Sequence, residues 1–265
     1  MTRLNEEQIE RYSRQMILPE VGGTGQEKLL KSRVLLIGAG GLGAPCALYL
    51  AAAGIGHMGL LDSDHVELNN LQRQIIHSHK NLKKSKVESA KEKIQELNPE
   101  VSVETYADRL TPRNALSYIT PYDFIIDGSD NFETKFLVND VCLMVGKPFN
   151  IAGLLQYTGQ VLTVLPGKGP CYRCIFPTPP DPETTLRCQD AGILGSVAGV
   201  IGTLQATETL KYFLNLGDLL VGRLLTYDAK TTRFKTLQIQ QDPTCAACRS
   251  RTASIQRLQG AGIHT

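Results

Sequence analysis

The chain has 265 residues, and its 28 Lys and Arg against 26 Asp and Glu give a formal net charge of +2. A hydrophobic content of 42% and a charged content of 20% exclude collagen, coiled coil and extended disorder. The near-neutral charge leaves no electrostatic footprint for nucleic acid. No apolar run approaches the roughly 20 residues of a membrane helix, and the acidic N-terminus does not resemble a signal peptide. We therefore expect a cytoplasmic protein that binds neither nucleic acid nor membranes.

Strands and helices alternate along the first half of the chain, which predicts an α/β fold with a doubly wound, mainly parallel Rossmann-like sheet. Strands are predicted at 33–37, 58–62, 101–105 and 123–127, and helices at 42–53 and 83–97. Later strands are predicted at 160–165, 224–228 and 233–239, a long crossing loop at 166–190 and a helix at 195–214. We expect one domain over residues 1–265, with a nucleotide-binding part at about 30–150 and a loop-rich part at about 160–250.

A glycine-rich turn follows the first predicted strand and precedes the first helix of this unit. Its glycines, Gly38, Gly40, Gly41 and Gly43, fit the pattern G-x-G-x-x-G. Glycines in such a turn let backbone N–H groups approach a phosphate at the positive end of a helix. Asp62 comes 19 residues after Gly43, at the end of the next strand, where a carboxylate can accept hydrogen bonds from a ribose. The pattern predicts a nucleotide site, and no P-loop sequence is present.

Several polar side chains come between the second strand and the start of the next helix, within reach of the same crevice. They are Asn70, Arg73, Gln74 and Lys86. The pyrophosphate of a dinucleotide is largely satisfied by the helix end, whereas a triphosphate needs further cations. Arg73 or Lys86 taken alone is typical of a solvated surface charge. In combination with the glycine turn and Asp62, the two favour ATP over NAD.

The fourth predicted strand is followed by a second acidic position at the same edge of the sheet. Asp130 there is suited to Mg²⁺, which takes one or two carboxylates together with phosphate oxygens and water. Alternatively, Asp130 caps the helix that starts near Asn131. The sequence leaves both interpretations open.

Two C-x-x-C motifs account for four of the seven cysteines. Without an export signal, cysteines favour reduced thiols, metal ligands or catalysis over disulfides. The thiolates of Cys171, Cys174, Cys245 and Cys248 can close a structural zinc site of tetrahedral geometry. A redox-active C-x-x-C pair is the alternative.

The remaining cysteines and two histidines have different surroundings. Cys46 and Cys142 fall within predicted helices and are expected to be buried. Cys188 lies in a polar stretch beside an arginine, which can lower a thiol pKa, and it is a candidate for a chemical role. His77 and His79 are predicted to be exposed near a loop.

Taken together, these residues resemble the ThiF/MoeB/HesA family, bacterial relatives of ubiquitin-activating enzymes that adenylate ubiquitin-like sulfur carriers. The resemblance runs from residue 11 to residue 248. Its most specific segments are Arg14-Gln15, residues 38–43, Asp62-Ser63-Asp64, residues 70–74, Lys86-Val87, Asp130-Asn131 and residues 170–174.

The resemblance implies that a carrier protein ending in Gly-Gly, ThiS- or MoaD-like, attacks the α-phosphate of ATP through its terminal carboxylate. Pyrophosphate would be released, and the product would serve thiamine or molybdopterin biosynthesis. Asp62 would bind the ribose, while Asn70, Arg73 and Lys86 would contact the phosphates. The resemblance further places Gln74 and Asn131 at the cofactor, Asp130 at Mg²⁺, and Arg14 in the ATP site of the neighbouring subunit of a homodimer.

For the cysteines, the resemblance implies Zn²⁺ at the two C-x-x-C motifs and sulfur relay or carrier linkage at Cys188. Because 17 residues follow Cys248, we expect a separate protein to donate sulfur. Three alternatives remain open: an NAD-dependent oxidoreductase, a catalytically idle binding module, and a tRNA-modifying adenylating enzyme of the same superfamily.

Overall fold

The computed structural model describes residues 4–180 and 191–249. Within these residues, eight strands form one mixed sheet in the order β3-β2-β1-β4-β5-β6-β7-β8. The strands are β1 Arg33–Ile37, β2 His57–Leu61, β3 Ser102–Tyr106, β4 Phe124–Asp127, β5 Phe149–Leu155, β6 Thr158–Val164, β7 Arg223–Asp228 and β8 Arg233–Gln238. Strands β1 to β5 run parallel, and β6 to β8 continue the sheet in antiparallel pairs. The predicted doubly wound, mainly parallel sheet is confirmed.

The helices lie between these strands. They are α1 Glu6–Met16, α2 Gly22–Lys31, α3 Gly43–Ala53, α4 Lys86–Leu97, α5 Ala115–Ile119, α6 Phe132–Val145, α7 Tyr172–Ile175, α8 Gly195–Leu214 and α9 Ala246–Arg249. Short 3₁₀ turns occur at Leu68–Asn70 and His79–Asn81. In the part of the chain that the structure describes, no helix combines the length and hydropathy needed to cross a bilayer.

Strand β1 shows how the sequence builds the two layers of helices. Its side chains alternate between two separate cores, because successive residues of a strand point to opposite faces. Val34 and Leu36 pack with α3 and α4, whereas Leu35 and Ile37 pack with α5 and α6. Both faces are therefore covered, which explains why this strand has a continuous apolar sequence.

Most predicted elements lie where the structure has them, with two instructive differences. The helix predicted at 83–97 begins only at Lys86, because Lys83 adopts a left-handed conformation with φ of 66°. Strand β5 was not predicted. Its Asn150 is fully buried and donates to the Gln205 backbone of α8, so a polar residue occupies a core position of this strand.

Candidate functional site

The glycine turn lies between β1 and α3, at the carboxyl edge of the parallel strands. Gly38 has φ of 93°, and a Cβ atom there would lie 2.9 Å from the carbonyl oxygen of Gly128. A Cβ atom on Gly43 would overlap the carbonyl oxygen of Gly38. The turn can close only with glycine at both positions. Its contact with Gly128 brings the β4–α6 turn to the same place.

Three successive backbone amides at this turn are free. Among the described residues, the N–H groups of Gly40, Gly41 and Leu42 have no acceptor. They precede the N-terminus of α3, where the helix dipole is positive. Gly40 and Gly41 are half-buried and Leu42 is buried, and donors in this position at a helix N-terminus are available to an external anion.

Asp62 stabilises the turn from the end of β2. Its Oδ2 accepts from the Ala39 amide at 2.8 Å, and its Oδ1 accepts from the Asp64 amide at 2.9 Å. Burial raises the pKa of Asp62, and the nearby charge of Lys86 opposes that rise. The carboxylate predicted to bind ribose therefore also fixes the first peptide of the glycine turn.

The segment after β2 brings Asn70, Arg73 and Gln74 against the glycine turn. Asn70 is buried, and its Oδ1 accepts from the Glu67 amide at 3.2 Å. The Arg73 Nη1 donates to the Asn69 carbonyl oxygen at 3.0 Å, and the Arg73 Cγ would lie 3.4 Å from a Cβ on Gly41. This arrangement supports the prediction that these side chains share the crevice with the turn.

Gln74 is buried beside Gly40, and its Oε1 atom has no hydrogen-bond partner among the described residues. A buried amide oxygen without a partner costs free energy of about 1–3 kcal/mol. A polar ligand in the crevice would satisfy it, so Gln74 fits its prediction as a cofactor-binding residue.

Lys86 is the first residue of α4 and has only 6% of its surface exposed. Its Nζ lies 2.8 Å from Oδ2 of Asp64, a side chain that is itself 65% exposed. An ammonium group carries three donors. Since Asp64 is the one acceptor within the described residues, Lys86 keeps donors for a phosphate.

Asp130 lies in the β4–α6 turn, and the structure excludes one of its two predicted roles. Asn131 is the N-cap of α6, with its Oδ1 accepting from the Thr134 amide at 2.8 Å. The prediction that Asp130 caps this helix is wrong, because the helix starts one residue later. Asp130 is exposed and has no hydrogen bond or ion pair within the described chain. Its carboxylate is thus available for Mg²⁺.

A buried lysine that the sequence analysis missed fixes this turn. Lys135 Nζ donates to Asp127 Oδ2 at 2.7 Å, to the Ser129 carbonyl at 2.7 Å and to the Ala152 carbonyl at 2.6 Å. All three ammonium donors are used, and Asp127 is fully buried. Lys135 therefore ties the turn before Asp130 to β4 and β5.

The prediction that His77 is exposed is wrong, whereas His79 is exposed as predicted. His77 Nε2 lies 3.0 Å from the Ala39 carbonyl oxygen, and Nδ1 lies 2.9 Å from Ser89 Oγ of α4. Burial lowers the pKa of His77, and the charge of Lys86 lowers it further. The net lowering favours the uncharged form of the ring, which contacts the Ala39 carbonyl of the glycine turn.

Arg14 lies on α1, away from this crevice. Helix α1 packs on the C-terminal ends of α3 and α4, where Gln15 Nε2 donates to the Ala53 carbonyl and Asn98 Nδ2 donates to Tyr12 Oη, both at 2.8 Å. The glycine turn is at the other end of α3, about 15 Å away at 1.5 Å per residue. The structure does not bring Arg14 to the site of its own chain.

Cys188, the predicted chemically active cysteine, lies outside the described residues.

The four cysteines of the C-x-x-C motifs converge on one point. Their Sγ atoms all lie within 4.8 Å of one another, with Cys171 at 3.9 Å from Cys174 and 3.7 Å from Cys245. Zinc bound tetrahedrally at about 2.3 Å would separate its sulfur ligands by about 3.8 Å. Burial raises the pKa of Cys248 to about 11, and it also raises the pKa of Cys171. A bound cation would offset that effect, so the cluster could hold a metal.

Arg173 connects the cysteine cluster to helix α6. Its Nε and Nη2 donate to the two carboxylate oxygens of Asp140 at 2.7 Å each, and its guanidinium lies 4.5 Å from the ring centre of Phe136. The amide of Tyr172 also donates to Asn139 Oδ1 at 2.9 Å. Because α6 begins beside Asp130, the cluster supports one wall of the crevice.

Cys46 and Cys142 are fully buried, as predicted.

The fold and the site define a class of Rossmann-like proteins with a glycine-rich turn at the start of a helix and a separate cluster of four cysteines. Comparison with known proteins narrows this class. The sequence profile of the ThiF family matches residues 12–247, and the chain belongs to the ThiF family.

Two relatives illustrate the family at high similarity. The chain is 48% identical over 259 residues to an Anopheles gambiae protein named adenylyltransferase and sulfurtransferase MOCS3, covering 97% of this chain and 58% of that protein. It is 45% identical over 251 residues to a Thermus thermophilus sulfur carrier protein adenylyltransferase, covering 93% of each. The chain thus spans less than two thirds of the MOCS3 proteins and nearly all of the bacterial relative.

Crystal structures of Escherichia coli MccB share the fold. One with MccA-N7isoASN has a TM-score of 0.81 at 24% identity and covers 94% of this chain and 77% of that one. Another, with ATP, has a TM-score of 0.79 and covers 91% and 75%.

Replacing Lys135 with methionine tests the support beneath the Asp130 turn. The K135M variant keeps the volume but leaves the Asp127 carboxylate buried and unpaired, so we expect the free energy of unfolding to fall by about 3–5 kcal/mol. Urea denaturation measures this quantity. The control is K93M on the exposed face of α4, where we expect a change within about 0.5 kcal/mol. Equal stabilities of K135M and K93M would contradict the assignment.

Proposed function

We propose that the protein is an ATP-dependent adenylyltransferase that activates the C-terminal glycine carboxylate of a ubiquitin-like sulfur carrier and releases pyrophosphate. The observation that carries this proposal is the set of amides of Gly40, Gly41 and Leu42, which have no acceptor among the described residues, with the Arg73 stem against Gly41 and the charge of Lys86 near Asp62. The names of the relatives support the same activity. We propose a ThiS- or MoaD-like carrier, with thiamine or molybdopterin biosynthesis as the pathway.

The residues of the crevice suit nucleophilic attack by a carboxylate. A carboxylate has an ordinary pKa near 4, so the nucleophile is ionised at neutral pH and needs no general base. Repulsion between this anion and the triphosphate opposes the reaction. Arg73, Lys86 and the free amides of the turn would offset that repulsion and orient the α-phosphate. Asp130 would hold Mg²⁺, which when bound neutralises phosphate charge.

Pyrophosphate exchange with separate carrier proteins tests the activity and the nucleophile. We expect exchange into ATP only in the presence of a carrier that ends in Gly-Gly, because the terminal carboxylate must reach the α-phosphate. A carrier that lacks these two residues is the control. Exchange that continues with the truncated carrier would contradict the proposed nucleophile, and exchange stimulated by tRNA alone would favour the tRNA-modifying alternative.

The cationic side chains are tested by substitution. We expect R73A and K86A each to reduce carrier adenylation by about 10²–10³-fold, the effect of removing one donor to developing charge. K93A on the exposed face of α4 is the matched control and should keep its rate. Rates of R73A and K86A equal to that of K93A would contradict the proposed roles, and tighter binding of NAD than of ATP would favour an oxidoreductase.

We also propose a homodimer in which Arg14 completes the site of the neighbouring subunit. The placement of α1 at the far end of α3 supports this proposal, because Arg14 cannot serve its own crevice. R14A and R73A should both be inactive alone, whereas mixing them after reversible dissociation should restore about a quarter of the sites under two-fold symmetry. No recovery in dimers shown to have exchanged subunits would contradict it.

We propose that Cys171, Cys174, Cys245 and Cys248 hold a structural Zn²⁺. The closed set of four buried or half-buried thiols supports this proposal. Purified protein should contain about one zinc per chain, and C245S should lose the metal together with thermal stability. C46A lies outside the cluster and should retain zinc. A metal-free protein whose C-x-x-C pairs form reversible disulfides would instead favour the redox alternative.

A further inference from the structure

Building on the proposed function, we propose that His77 is a positioning residue of the nucleotide site. By fixing the carbonyl group of Ala39, it turns the Gly40 amide toward the phosphates of ATP. Three segments of the site meet at this residue: the glycine turn, helix α4 and the turn that carries Arg73.

The first contact is with the glycine turn. His77 is 6% exposed, and its Nε2 lies 3.0 Å from the Ala39 carbonyl oxygen. A carbonyl oxygen can only accept, so Nε2 must carry the proton. On its other side, Nδ1 lies 2.9 Å from the Ser89 hydroxyl. A neutral ring with its proton on Nε2 then accepts from Ser89, and both ring nitrogens are satisfied.

The geometry of the peptide bond extends this contact into the crevice. The Ala39 carbonyl and the Gly40 amide belong to one planar trans peptide unit, so they point in opposite directions. When His77 holds the carbonyl below the turn, the Gly40 N–H must point away from His77. That N–H is one of the amides without an acceptor among the described residues.

The glycine turn needs a stabilising contact from another segment because glycine residues restrict the backbone conformation only weakly. Gly40 and Gly41 have access to backbone conformations that other residues avoid, so the peptide plane between Ala39 and Gly40 could otherwise rotate. Asp62 fixes the preceding plane through the Ala39 amide at 2.8 Å. Asp62 and His77 together hold both polar groups of Ala39.

His77 also joins the segments that carry the proposed phosphate ligands. Its own amide donates to the Gln74 carbonyl at 3.0 Å, which connects it to the turn that bears Arg73. Ser89 lies one helical turn after Lys86 in α4. The ring therefore sets the glycine turn relative to both cationic side chains, without contact between His77 and the nucleotide.

Two substitutions separate positioning from packing. H77L fills the space but has no donor, whereas H77Q places an amide N–H where it can reach the Ala39 carbonyl. We expect H77L to raise the ATP dissociation constant and the ATP KM by about tenfold to hundredfold, the effect of losing one buried hydrogen bond. The carrier KM should stay unchanged, and H77Q should recover most of the ATP affinity. H79L, at the exposed neighbouring histidine, should bind ATP as the wild type does.

Calorimetry with ATP and urea denaturation on the same samples make the outcome decisive. A folded H77L that binds ATP like H79L overturns the proposal, and so does a loss that H77Q fails to recover. Nitrogen-15 spectra of the wild-type histidines provide a test that needs no substitution. They should show His77 as the neutral Nε2–H tautomer, and a charged ring or an Nδ1–H tautomer would overturn the proposal.

The two proposals fail differently. A wild-type protein that does not bind ATP contradicts the proposed function and this inference together. Binding of ATP by the wild type without any response to H77L contradicts only the role of His77.

Discussion

The site depends on one constraint: an anion-binding turn must expose backbone amides that the fold leaves unpaired. Gly40, Gly41 and Leu42 present three amides that have no acceptor within residues 4–180 and 191–249, just before α3. The chain compensates by fixing the peptide before them, with Asp62 on the Ala39 amide and His77 on the Ala39 carbonyl. Binding affinity benefits when donors are held in place before the ligand arrives, because less conformational entropy is lost on binding.

The opposite wall of the crevice is formed by helix α6, and contacts at two positions along this helix support it. Near its start, Lys135 uses all its donors within the protein, so this lysine organises the Asp130 turn and is unavailable to a phosphate. Further along, Asp140 receives the bidentate hydrogen bonds of Arg173 from the cysteine cluster. Such paired bonds specify geometry as well as energy. A structural cluster far from the chemistry can thus stiffen the turn that carries Asp130.

Patterns that depend on local sequence predicted much of this arrangement. The apolar run of β1, the glycine turn and the helix that ends at Gly54 follow from burial on two faces and from backbone sterics. The spacing and residue type of the two C-x-x-C motifs likewise predicted that the four cysteines form one cluster. Lys135, His77 and strand β5 could not be predicted in this way. Lys135, His77 and Asn150 of β5 are polar groups inside the core whose partners are distant in sequence. Lys135 reaches Ala152, His77 reaches Ala39, and Asn150 of β5 reaches Gln205. Only the folded chain shows that these groups are satisfied.

The position of Arg14 differs from that of the other proposed site residues. The crevice is built from turns at the carboxyl ends of β1, β2 and β4, and each turn is fixed from below or from the side by the same chain. Within the described residues, α1 with Arg14 lies at the far end of α3, away from these turns. In the proposed homodimer, an arginine from a second subunit would add positive charge to the crevice only when the two chains assemble. A monomer would then bind nucleotide through its preformed turn, while transfer of AMP to the carrier would require both subunits. Affinity for ATP and catalysis would therefore depend on different parts of the assembly.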